Sequence, residues 1–137
     1  KTGKIRFAFL NFPLSHHANA RPAAMSAMCA GVQGKFWPMV TEIFKTQKTW
    51  ENEYKPQAHF ESLAKKAGLD VAEWNACLGV SRVNDLIDAD TQNAQKAGVQ
   101  STPSFIVAGQ LVDGAVPLDD MRKLINDAIA AAGKPAK

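Results

Sequence analysis

The amino-acid sequence predicts an α/β domain with a helical insertion. Three observations predict it. An apolar, aromatic run at Lys4–Phe12 is closed by Pro13. Five helix-period segments occupy the middle of the chain. A short hairpin and an amphipathic helix close it. The order is therefore strand, block of helices, hairpin, helix.

Each element has its own reason. The run KIRFAFLNF has the length and aromatic content of a buried strand. A loop, PLSHHANAR, follows; Asn19 is the expected N-cap of the next helix, and Pro22 suits its first turn. That helix is alanine-rich, and its expected inward face holds Ala24, Met28 and Val32, with Met25 and Cys29 beside them. A second helix, KFWPMVTEIFKTQ, repeats Phe36, Met39, Val40, Ile43 and Phe44 at helical spacing. KTWENEYKP is polar and turn-like. In QAHFESLAKKAG the inward residues are Phe60, Leu63, Ala64 and Ala67, and Gly68 ends the helix. Asp70 caps VAEWNACL, with Glu73 completing a capping box. Ser81 caps the following helix, which aligns Val83, Leu86, Ile87, Asp90 and Ala94 and stops at Gly98.

SFIVAGQLVDG reads as a hairpin with Ala108-Gly109 at its turn and strands Ser104–Val107 and Gln110–Val112. The last helix sets Met121, Leu124, Ile125, Ala128 and Ile129 in a buried stripe. One residue is out of place: Pro103 stands at the mouth of what reads as a core strand, where a missing backbone donor is a defect.

Composition narrows the function. At 137 residues, 46% hydrophobic and 21% charged, the chain suits one domain with a sizeable core. Its net charge of +3 is modest and its lysines are scattered, which argues against nucleic acid as a partner. No apolar run approaches the ~18 residues of a membrane span. No signal peptide is recognisable, and the chain starts at Lys1 rather than methionine. The two cysteines, Cys29 and Cys77, form no Cys-x-x-Cys. By themselves they are compatible with two buried reduced thiols.

With these residues in this order, the chain resembles the DsbA-like thiol–disulfide oxidoreductases of the thioredoxin fold. Four segments carry the resemblance: FAFLNFPLSHHANARPAAMSAMCA, GVQGKFWPMVTEIF, AGVQSTPSFIVAGQLVDGAVP and the final helix. QGKFW and GVQSTPSF are the most specific pieces. The resemblance implies one domain over residues 1–137. Residues 1–19 and 99–137 would form the thioredoxin-like core and residues 20–98 the helical insertion. It also implies an incomplete N-terminus, because the family's first core strand and its active-site helix with Cys-x-x-Cys have no counterpart here. That strand would lie between the Ile5–Phe12 strand and the strand at Phe105, so a strand from a second copy, a domain swap or a further segment is expected to complete the sheet. Buried backbone groups left without it would cost roughly 1–3 kcal/mol each.

The resemblance assigns roles to three places. Thr102–Pro103 corresponds to the family's cis-proline loop, whose open edge receives an extended substrate by β-augmentation, with Ser101 flanking it. The alternative is a trans proline opening an edge strand. Cys29 and Cys77 correspond to a disulfide that joins two insertion helices in some relatives; free buried thiols and a redox pair stay open. No residue of this chain takes the catalytic nucleophile's role. His16 and His17 lack the further ligands of a metal site, and His59 stands alone, so no metal and no cofactor are expected. Phe36, Trp37, Trp50 and Trp74 are read as core rather than as a peptide groove, and Asp90 as partly exposed.

Three functions follow. The first is a disulfide oxidoreductase domain of the cell envelope or periplasm, acting on protein or peptide thiols and disulfides, with its redox cysteines outside this sequence. The second is a non-catalytic module that binds peptides or partners. The third is a glutathione-dependent isomerase or transferase relative.

Overall fold

The computed structural model describes residues 3–133. It contains α1 (Ala20–Val32), α2 (Phe36–Lys45), α3 (Gln47–Trp50), α4 (Gln57–Lys66), α5 (Val71–Leu78), α6 (Ser81–Lys96), β1 (Ser104–Val107), β2 (Gln110–Asp113) and α7 (Leu118–Ala132). These divide into two compact units, residues 11–91 and residues 1–10 with 92–137.

The first of these is helical. α1 packs against α2, α4 and α5, while α4 also meets α2 and α5. Its centre is Cys29, Ala30, Met39, Phe60, Ala64, Trp74 and Ile87, all fully buried. Trp74 fills the largest share of it and donates its indole N–H to the Ser26 carbonyl at 3.0 Å. Trp50 likewise donates to the Ile43 carbonyl at 2.9 Å and lies against Phe60, ring centroids 5.3 Å apart. Each indole thus buries its apolar body while its one donor is satisfied.

The inward face of α1 is not the one its larger side chains suggest. Ala23, Ser26, Ala27, Cys29 and Ala30 are buried, whereas Val32 is 76% exposed. Small residues let neighbouring helices approach closely, so the narrow face turns inward and the bulkier Met28 and Val32 are left at the margin. In α2, Met39, Val40 and Ile43 are buried, but Phe44 is exposed. In α6, Val83, Ile87 and Ala94 are buried and Leu86 is exposed.

Two caps also differ from expectation. Asn19 occupies the N-cap position of α1 without a capping hydrogen bond. Its amide instead donates to the carbonyls of Trp50 (2.7 Å), Glu51 (3.3 Å) and Glu53 (2.8 Å). Asp70 does cap α5, accepting from the Glu73 N–H at 3.0 Å. The reciprocal half is supplied from elsewhere: the Asp70 N–H donates to Gln33 Oε1 at 2.9 Å.

The other unit contains a two-stranded antiparallel sheet, with α7 packed on β1. Ala108 (φ 50°) and Gly109 (φ 85°) form its turn, the two positive φ values a right-twisted two-residue hairpin requires. Residues 5–12 do not form the expected strand. No regular hydrogen-bonded element covers them, and Ile5 and Phe7 are exposed. A strand exists only with a neighbour to complete its ladder, and the sheet of the described residues consists of β1 and β2. For the same reason β1 is no core strand: Phe105 is half-buried and Ile106 exposed. The apolar stripe of α7 is likewise half-buried throughout, because two short strands cannot cover it.

Candidate functional site

The two-residue turn fixes the register of the hairpin. Val107 faces Gln110, Phe105 faces Val112, and Ser104 faces Asp113. Directly opposed residues share one side of an antiparallel pair, so Ser104 and Asp113 meet. The Ser104 hydroxyl lies 2.6 Å from Asp113 Oδ1 and 2.7 Å from the Ser101 carbonyl oxygen. Ser101 donates its hydroxyl to the same Oδ1 at 2.9 Å. The Gly114 N–H donates to the Pro103 carbonyl at 2.9 Å. A single carboxylate oxygen thereby gathers the hydroxyls on both sides of Thr102 and Pro103.

That arrangement leaves Thr102 and Pro103 exposed at the head of β1, with the peptide bond between them cis. Pro103 contributes a carbonyl and no N–H. The Ser104 hydroxyl, and after it that of Ser101, holds the Asp113 carboxyl below the usual carboxylate range. Hydrogen bonds to the ionised form favour it, so the carboxylate stays charged and acceptor-only in neutral solution. The loop can offer backbone edge and a small apolar ring to a ligand. It holds no cysteine.

The cysteines lie in the helical unit. Cys29 of α1 and Cys77 of α5 form a disulfide, Cα atoms 5.7 Å apart. Cys29 is fully buried and Cys77 half-buried. This bond uses both cysteines of the sequence, leaving no free thiol for exchange chemistry.

The remaining candidates are placed as follows. The rings of His16 and His17 are 4.2 Å apart. Among the described residues no three His, Cys, Asp or Glu side chains are grouped to hold a metal ion. His59 sits with Nε2 at 3.0 Å from the Thr46 hydroxyl. A recess of about 290 Å³ is lined by Pro13, Leu14, Ser15, His17, Ala18 and Arg21. Its one cation is engaged: Arg21 donates to Asp88 at 2.8 Å and to Asn84 at 3.1 Å. Trp50 and Trp74 are core, while Trp37 is 49% exposed. Half-buried Asp90 accepts from both the backbone N–H and the side-chain amide of buried Asn11, at 3.0 and 2.8 Å.

Asp113 is the residue that the sequence reading passed over. Its signal was present: counting outward from Ala108-Gly109 puts position 113 opposite position 104, beside the serines of STPS.

Comparison with known proteins adds the following. A family model described as Thioredoxin matches residues 1–127. A probable disulfide bond formation protein D of Bacillus anthracis is 28% identical over 127 residues, covering 90% of this chain and 58% of that protein. A Na(+)/H(+) antiporter NhaA of Herminiimonas arsenicoxydans is 32% identical over 111 residues, 81% of this chain but 17% of the antiporter. A Na(+)/H(+) antiporter NhaA 1 of Mycolicibacterium vanbaalenii is 30% identical over 110 residues, 77% of this chain and again 17% of the antiporter. The chain thus spans between about a sixth and three fifths of these relatives. No solved structure matches significantly. No helix among the described residues is long and apolar enough to cross a membrane.

Proposed function

Because the chain belongs to the thioredoxin family, we propose that it is the substrate-holding part of a DsbA-like thiol–disulfide exchange domain acting on protein disulfides. The observation that carries the reading is the exposed Thr102–Pro103 loop, held from both sides at the head of β1. An extended substrate segment lies along it, pairing with backbone groups beside Thr102, while Pro103 presents its ring to the sulfurs. Exchange itself runs by thiolate attack on one sulfur of a disulfide: a mixed disulfide forms, and the other sulfur leaves as thiolate. The disulfide between Cys29 and Cys77 supplies no such thiolate, so the attacking sulfur comes from outside these 137 residues. Relatives named for disulfide bond formation support this reaction class. The internal disulfide supports an oxidising compartment, the periplasm or cell envelope. A two-stranded sheet is marginal alone, which supports a further strand beside β1 from another segment or chain.

One observation favours a second reading. With both cysteines crosslinked, the same loop can bind peptide with no chemistry, as a partner-binding module. The shared stretch covers 17% of the antiporters, so their ion transport is not carried over to this chain.

The test is binding of fluorescent peptides derived from an unfolded disulfide-containing protein, with Thr102→Arg as the blocked variant. Saturable binding lost in the variant supports the reading; equal binding by both removes it. Insulin reduction by the purified chain tests the premise the two readings share, that no attacking thiolate lies within these residues. Turnover would show that the chain does carry its own nucleophile.

A further inference from the structure

We propose that Asp113 is a positioning residue for the Ser101–Thr102–Pro103 loop, acting through the hydroxyls of Ser101 and Ser104 to set the backbone edge that peptide meets; this rests on the peptide-binding reading of that loop. Asp113 sits at the end of β2, outside the loop in sequence, and its Oδ1 lies within 2.9 Å of Ser101 Oγ and 2.6 Å of Ser104 Oγ. The two serines bracket Thr102 and Pro103, so one acceptor fixes both ends of a two-residue segment that has no regular structure of its own.

The chemistry of the acceptor is specific. Each hydroxyl has one proton to give. Ser104 Oγ has two acceptors in reach, the Ser101 carbonyl and the carboxylate, whereas Ser101 Oγ has the carboxylate. An ionised carboxylate takes both protons at one oxygen, and charge-assisted bonds of this kind are shorter and stronger than neutral ones. The Gly114 N–H, one residue on, closes onto the Pro103 carbonyl, so β2 grips the loop by side chain and backbone together. The groups that act on the carboxyl are these two hydroxyls and the Gly114 backbone, with no charged side chain among them. Protonation would turn Oδ1 into a weak acceptor and loosen the grip, but only in acid, since the same bonds hold the carboxyl ionised.

The test uses Asp113→Ala and, as a milder route, Ser101→Ala with Ser104→Ala. Amide hydrogen exchange is read at Gly114, whose N–H donates to the Pro103 carbonyl, alongside affinity for the peptide used above. The expected result is exchange about tenfold faster at this amide in both variants, unchanged exchange in α4, and peptide affinity lower by a similar factor. Combining the three substitutions adds little further loss, because they remove one interaction network. The wild-type affinity should fall on acidification through the depressed Asp113 value, and this limb should vanish in Asp113→Asn. Exchange at Gly114 unchanged in the serine double variant overturns the inference, whatever peptide does. Slow exchange at Gly114 that depends on Asp113, together with no peptide binding by the wild type, upholds the positioning and removes the functional reading instead.

Discussion

Breaking the bond between Cys29 and Cys77 is the most informative perturbation of stability. The two residues are separated by 48 positions, and the loop they close runs from α1 through α5, all within the helical unit. In the chain-entropy treatment a loop of that length restricts the unfolded ensemble by about 14 cal/mol/K, or about 4 kcal/mol at 25 °C. For a domain with a urea slope of about 2 kcal/mol/M, this moves the midpoint down by about 2 M. The assay is urea unfolding of oxidised wild type, reduced wild type and Cys29→Ala/Cys77→Ala, followed by tryptophan fluorescence. All three tryptophans lie in the helical unit, and Trp74 and Trp50 are buried in it. Cys29→Ala adds a void at a fully buried site, so the double variant should fall somewhat below the reduced protein. A midpoint shift under about 0.5 M on reduction, with unchanged slope, would show that the crosslink constrains little.

Other perturbations test separate contacts. Trp74→Phe removes the donor that the Ser26 carbonyl has beyond its helical bond and leaves a void, and denaturation should show a loss of about 0.5–1.5 kcal/mol from the hydrogen bond alone. Asp90→Ala leaves the two donors of buried Asn11 without their acceptor, with an expected loss of about 1–3 kcal/mol by the same measurement. Glu42 is held below its usual carboxylate range by Lys66 and then Lys45. Its contribution is therefore present above the ordinary value, near 4.5, and is lost as pH falls through the depressed one. Lys66→Ala should flatten this acid limb in a pH series of urea midpoints, and 1 M salt should shrink the difference.

Legibility from sequence tracked how local the cause of each feature was. The helices were readable because their signals are internal: the spacing of Met39, Val40 and Ile43, the Asp70 cap, the left-handed glycine at Gly68. The hairpin was readable because Ala108-Gly109 dictates its own turn. Residues 5–12 were misread because an apolar run states a preference, whereas a strand also needs a partner. The α1 face was misread because an alanine-rich helix offers little contrast, and closeness of approach, not bulk, decided which side went in. In the loop, STPS marked the place but not what holds it. The carboxylate of Asp113 arrives there through strand pairing, which neighbours in sequence do not reveal.

Asn19 makes one part of the molecule non-portable. The turn from Glu51 to Pro56 has no regular structure, and an amide more than thirty positions earlier shapes it by engaging two of its carbonyls, those of Glu51 and Glu53, and that of Trp50 at its threshold. Transplanted into another scaffold without that amide, these residues would lose their form while keeping every letter of their own code. Substitutions within the turn should be tolerated widely, since the amide engages main-chain oxygens and is indifferent to side chains. The information for this loop is stored at position 19.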